Sequence, residues 1–149
     1  MRAVVQRVEK AKVIVENRLI AEIGHGLLVF LGIEQGDRET DADYLSDKIM
    51  NLRIFEDEQG KMNLSLIDIQ GQMLVVSQFT LLGDCRKGRR PSFTKAEKPD
   101  RAHLLCNYFI GRSKEKLISV MQGQFQAMMS IELVNDGPVT MILDSRCSI

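Results

Sequence analysis

Short apolar runs rich in valine and isoleucine open the chain. Residues 2–8, 10–16, 19–23 and 27–33 alternate or run apolar, separated at Asn17-Arg18 and Gly24-His25-Gly26. Runs of this length, bounded by residues that favour turns, predict strands with tight connections. From Thr40 the period changes. Ala42, Leu45, Ile49 and Leu52 recur at helical spacing with Asp41, Asp43 and Asp47 on the polar side, which predicts a helix over residues 40–51. Glu56-Asp57-Glu58-Gln59-Gly60 is a polar turn, and residues 72–82 are the strongest candidate for a buried strand. A second helix is expected from Pro99 towards Ser119, with Leu104, Leu105, Tyr108, Phe109 and Leu117 as its apolar stripe. Residues 128–134 and 139–143 return to strand character on either side of the turn signal Asn135-Asp136-Gly137-Pro138. This order predicts one α+β domain over residues 1–149, with a mostly antiparallel or mixed, barrel-like sheet and two main outer helices. Residues 145–149 are expected to form a tail.

Composition narrows the picture. A chain of 149 residues with 44 % apolar residues can fill one core without disulfides or a metal. Twenty basic side chains balance twenty acidic ones, so any contact with nucleic acid must come from a local patch. The longest apolar runs, residues 27–31 and 73–76, are too short to cross a bilayer, and strand-like sequence begins at Arg2. A soluble, cytoplasmic protein with no membrane association is expected. Cys85, Cys106 and Cys147 make no paired motif and are expected as free thiols.

Most chemistries fail on spacing. His25 and His103 are the only histidines and form no metal-ligand pattern, so no metal or other cofactor is expected. His25 reads as an exposed loop residue and His103 as a solvated one on the second helix. No phosphate-binding glycine loop and no G-x-S-x-G motif is present. What remains are two polar interruptions of apolar sequence. Ser77, Gln78 and Thr80 break the candidate central strand, where each needs a partner or a cleft. On its own this segment reads more readily as hydroxyls satisfying nearby backbone than as a catalytic site, and residues 135–140 on their own read as a hairpin turn.

Together, Ser77-Gln78-Phe79-Thr80-Leu81 and Asn135-Asp136-Gly137-Pro138-Val139-Thr140 resemble the two signature motifs of the D-aminoacyl-tRNA deacylase family. The resemblance extends to Gln6-Arg7-Val8, Gly60-Lys61-Met62-Asn63-Leu64 and Arg90-Pro91-Ser92-Phe93, in the same order, and so covers nearly the whole chain. Cys85 and the tail depart from the family pattern. The resemblance implies a fold similar to a proofreading domain of archaeal threonyl-tRNA synthetase, a homodimer, and no obligatory metal. It implies that Ser77, Gln78, Phe79 and Thr80 line the pocket for the aminoacyl-tRNA 3′ end. Gly137 and Pro138, joined by a cis peptide bond, would enter the pocket of the other subunit as a chiral filter. Arg7, Phe125 and Met129 map to the substrate side, with Arg7 donating to backbone carbonyls of the turn.

The implied reaction is hydrolysis of the ester of D-aminoacyl-tRNA, with glycyl-tRNA admitted and L-aminoacyl-tRNA rejected. An activated ester needs an oriented water and preorganised donors for its oxyanion more than a strong base. Backbone N–H groups at Phe79 and Thr80 are the candidate donors, assisted by the substrate 2′-hydroxyl. Thr80 as a covalent nucleophile ranks second, having no adjacent base in sequence. Arg86, Lys87, Arg89 and Arg90 suit either tRNA phosphates or a solvated mobile loop. Proofreading of a mischarged L-aminoacyl-tRNA, and a non-catalytic tRNA-binding module, stay open as alternatives.

Overall fold

The computed structural model describes residues 1–117 and 119–147. Strand β1, Arg2–Val15, is the spine. Sequence predicts two strands here, but the chain continues unbroken through Glu9 and changes partner instead. Residues 2–8 pair antiparallel with β3, Gly26–Gly32, and residues 11–15 with β2, Arg18–Ile23. On its other edge β1 carries β8, Ser130–Asp144, along most of its length. Beyond β3 the sheet continues in parallel through β6, Gln72–Ser77, to the short β7, Val120–Gln122. The mixed sheet curls until β2 approaches β6 and β7, giving the nearly closed barrel of an α+β domain. Phe55–Glu56 (β4) and Met62–Leu64 (β5) form a separate small ribbon.

Gly26 shows what the parallel start of β3 demands. A Cβ there would fall 1.9 Å from the Gln72 carbonyl oxygen, so only glycine allows the two strands to meet. Helix α1, Glu39–Asn51, matches the predicted span closely, and Asp41 accepts the Arg38 backbone N–H at 2.8 Å at its N-terminus. Helix α2, Pro99–Lys114, stops short of the expected Ser119. The Ser113 carbonyl accepts from both Lys116 and Leu117, which closes the last turn. Leu104, expected in the apolar stripe, is 70 % exposed; the buried face is Leu105, Phe109 and Ile110.

Two cores result. One lies between the helices and the sheet around Val5, Leu31, Phe55 and Phe109. The other fills the curl of the sheet around Val8, Val13, Ile23 and Val76. Each fully buried aliphatic or phenyl side chain contributes roughly 1.5–3 kcal/mol. No helix among the described residues is long and apolar enough to cross a membrane. Ser145 and Arg146 fold back onto the chain start: the Met1 amino group lies 2.9 Å from Ser145 Oγ and 2.7 Å from Asp37 Oδ1, and Arg146 Nη2 lies 2.8 Å from Asp37. Ser148 and Ile149 of the expected tail lie outside the described residues.

Candidate active site

The strand expected over residues 72–82 ends at Ser77, and Phe79–Leu82 form a 3₁₀ turn. The Gln78 N–H donates to the Leu31 carbonyl at 2.8 Å, one last rung on β3, before the chain leaves the sheet. Gly32 makes the departure possible, because a Cβ there would meet Leu82 Cδ2 at 2.5 Å and the Gln78 carbonyl at 3.0 Å. Leu81 N–H returns to the Gln78 carbonyl, whereas the N–H groups of Phe79 and Thr80 make no backbone hydrogen bond among the described residues. They are the unsatisfied first donors that any helical turn leaves. Gln78 Nε2 donates to Thr80 Oγ1 in a short hydrogen bond, and no carboxylate or imidazole of the described residues joins it. Phe79 is 58 % exposed and packs edge-on to Phe93 at 5.2 Å.

Ser77 opens onto a groove of about 590 Å³ between α2 and the segment formed by β7 and the residues that follow it. Phe125 lies along it, stacked on His103 with centroids 4.4 Å apart and planes 13° from parallel. His103 therefore serves as a groove wall, not a purely solvated side chain. Met129 does not line the groove; it packs against the core inside the curl of the sheet, its sulfur 2.8 Å from where a Gly123 Cβ would sit. Cys106 also lines the groove, but burial pushes its thiol up to about 11, which keeps it protonated near neutrality. A cysteine–histidine nucleophile is not built here, even though the helix places His103 and Cys106 one turn apart.

Gly137 and Pro138 occupy a different region. Residues 130–144 form one strand instead of the expected hairpin, because both flanks of the motif stay paired to the same partner: Asn135 faces Val8 and Thr140 faces Gln6. Asp136, Gly137, Pro138 and Val139 are looped out opposite Arg7. Asn135 Nδ2 closes the loop by donating to the carbonyls of Arg7 at 2.9 Å and Val139 at 3.1 Å. The Gly137-Pro138 bond is cis, Gly137 takes φ +118, and both residues are exposed. Arg7, 4 % exposed, does not donate to the carbonyls of the turn. Its Nη1 donates to the Ile54 carbonyl at 2.6 Å, and its Nε lies 3.0 Å from Asp136 Oδ2, off the line of a hydrogen bond. His25, exposed as expected, sits edge-on to Phe55 and 3.8 Å from Asp136.

The two motifs do not meet within one chain. Arg7 pairs with Leu27 and Ser77 with Leu31, four residues further along β3, and β8 and β6 are three strands apart. Strand geometry makes that on the order of 20 Å along the sheet. The basic loop starts just after the 3₁₀ turn and is closed by mutual backbone bonds between Asp84 and Ser92 of 2.8 and 3.0 Å. Arg86 spends its charge within the loop, bonding Asp84 at 2.9 and 2.6 Å and holding that carboxyl well below the usual range. Lys87, Arg89 and Arg90 are exposed and make no ion pair among the described residues. Among those residues no group of three or more histidine, cysteine or carboxylate side chains comes together as a metal site.

Residues 4–144 match the family model described as D-Tyr-tRNA(Tyr) deacylase. The D-aminoacyl-tRNA deacylase of Syntrophus aciditrophicus is 65 % identical over 146 residues, covering 98 % of both chains. That of Clostridioides difficile is 59 % identical over 99 % of both. Among solved structures, one titled c-Myc DNA Unwinding Element Binding Protein superposes with a TM-score of 0.92 at 40 % identity, over 97 % of this chain and 98 % of its own. Another, a probable eukaryotic D-amino acid tRNA deacylase, gives a TM-score of 0.80 at 16 % identity, over 95 % and 97 %, and bears on the fold alone.

Proposed function

The chain belongs to the D-aminoacyl-tRNA deacylase family, and from that premise we propose how it hydrolyses D-aminoacyl-tRNA while sparing the L-form. Ser77, Gln78, Phe79 and Thr80 of one copy bind the aminoacylated 3′ end, and Gly137 and Pro138 of a second copy complete the pocket as a chiral filter. The observation that carries this reading is the separation of the two motifs within one chain, each incomplete where it stands. An exposed apolar strip on the sheet supports a two-fold partner: Ile142, 66 % exposed, lies beside Val4, which lies beside the half-buried Phe30.

The chemistry follows from what each half offers. The free N–H groups of Phe79 and Thr80 point to an oxyanion site, each such donor being worth about 3 kcal/mol where one has been removed from a hydrolase. Thr80 Oγ1 is occupied as the acceptor of Gln78 and lacks a base, which disfavours a covalent threonyl ester. Water, oriented by these groups and by the substrate 2′-hydroxyl, attacks the ester carbonyl carbon. The tetrahedral intermediate then expels the tRNA 3′-oxygen, which takes up a proton to leave free amino acid and tRNA. Carbonyls of Gly137 and Pro138 hold the substrate amino group and occupy the space an L side chain would need. Glycine has nothing to clash, so glycyl-tRNA is also cleaved. Lys87, Arg89 and Arg90, more than the self-neutralised Arg86, take phosphates of the acceptor arm.

The test is release of tyrosine from matched D- and L-tyrosyl-tRNA by the purified protein. Fast release from the D-ester with little from the L-ester is expected. Equal rates on the two would sink the filter.

A further inference from the structure

We infer that the groove between α2 and β7 is a track for the single-stranded 3′ end of the tRNA, holding the nucleotides before the terminal adenosine with a phosphate on Lys114. This rests on the reading of residues 77–80 as the ester site, and it assigns a separate stretch of surface to RNA.

The groove has a direction. β7 runs parallel to β6, with Gln122 beside Val75 and the Gly123 N–H bonded to the Val75 carbonyl at 2.9 Å, so the residues after Gly123 run alongside Ser77. Phe125 and the His103 stacked on it therefore mark the end next to the ester site. From there His103, Asn107, Ile110 and Lys114 line the groove at intervals of four, three and four residues. That spacing keeps them on one face of α2 and spreads them over roughly 16 Å of helix axis. A single terminal nucleoside at the Ser77 end leaves the Lys114 end to be filled by the strand that precedes it.

The chemistry of the walls fits RNA. Single-stranded ends are held by stacking on aromatic or imidazole rings and by hydrogen bonds to base edges. The His103–Phe125 pair offers the ring surface, while Asn107, Gln122 and Gln124 offer amides that donate and accept. The sharpest sign is the charge at the far end. Arg112 is tied to Asp43 and Glu115, and Lys116 lies 2.7 Å from Asp47, so both neighbouring cations are neutralised. Lys114 lines the groove, is exposed, and has no carboxylate partner among the described residues. A phosphate there completes the pattern.

The experiment compares two esters, D-tyrosyl-tRNA and 3′-O-D-tyrosyl-adenosine, with the full-length protein and its Lys114→Met, Asn107→Ala and Lys116→Met variants. The wild type should prefer the tRNA ester in kcat/KM. Lys114→Met and Asn107→Ala should each shrink that preference about fivefold, through KM for the tRNA ester, while Lys116→Met should not. Lys114→Met should also flatten the dependence of log KM on log salt by about 0.7, the contribution of one phosphate on a single strand, and Asn107→Ala should leave it. A wild type without preference for the tRNA ester overturns the inference. So does an unaltered preference in Lys114→Met, or an equal loss in Lys116→Met. Failure of the wild type to cleave either ester would instead overturn the assignment of residues 77–80.

Discussion

Residues 77–80 and residues 136–139 both interrupt an apolar strand, but the first interruption ends its strand and the second lies inside one. After Ser77 the ladder gains one rung, from Gln78 to Leu31, and the backbone turns away with two N–H groups unspent. At Asp136 the strand loops out and then resumes on the same partner, so the loop is fixed at both ends and its middle projects. Asn135 ties those ends together and the buried Arg7 backs the loop through Asp136. A terminal break makes a wall with free donors, suited to binding a developing charge. An internal break makes a finger with fixed carbonyls, suited to excluding a shape.

The finger should be the more sensitive of the two. A Cβ on Gly137 would lie 2.8 Å from Val139 Cγ2 and 3.1 Å from Arg7 Nη2, at a φ of +118 that L-residues rarely adopt. Gly137→Ala is expected to lower the D-over-L ratio roughly a hundredfold, the usual consequence of about 1 Å of misplacement. Gly60→Ala, at φ +72 with nothing within 4 Å, is the matched control and should leave the ratio alone. A Gly137→Ala protein with undiminished selectivity would break the comparison. The wall should tolerate more. Thr80→Ala removes one hydrogen bond from Gln78 and is expected to slow D-ester release only about fivefold to tenfold. Complete loss of turnover in the folded variant, or a trapped acyl-threonine, would turn the wall into a nucleophile site. Smallest of all is the expected effect of exhaustive chelation, which should leave the rate unchanged; loss with rescue by zinc would contradict this.

Periodicity was enough to read helix α1 and the fold class, because Ala42, Leu45 and Ile49 face one core and their neighbours face water. It misplaced breaks wherever tertiary pairing overrode local signals. Asn135 to Pro138 carry every mark of a hairpin turn, yet β1 is long enough to pair both flanks and keep them in one strand. The same length of β1 hid the join at Glu9. The wall at residues 77–80 was visible as polar residues in a buried run. The groove was not, since its walls come from α2 and from residues near β7 whose closeness depends on a parallel pairing. No isolated signal in the sequence could have found it: Lys114 and Lys116 both lack an acidic residue three or four positions away, and it is the packing of α1 that pairs Lys116 with Asp47.

Whether the finger acts across a two-fold axis can be measured by mixing variants. Gly137→Ala spoils the finger, and Phe79→Pro removes one donor from the wall at a position whose fixed φ suits the first residue of a helical turn. After subunit exchange at equal amounts, half the dimers are mixed, and each mixed dimer has one pocket with intact wall and intact finger. Selective D-tyrosyl-tRNA hydrolysis should then return to roughly a quarter of the wild-type rate. Activity that stays at the mean of the two variants, or a wild-type monomer with full stereoselectivity, would contradict a pocket shared between copies.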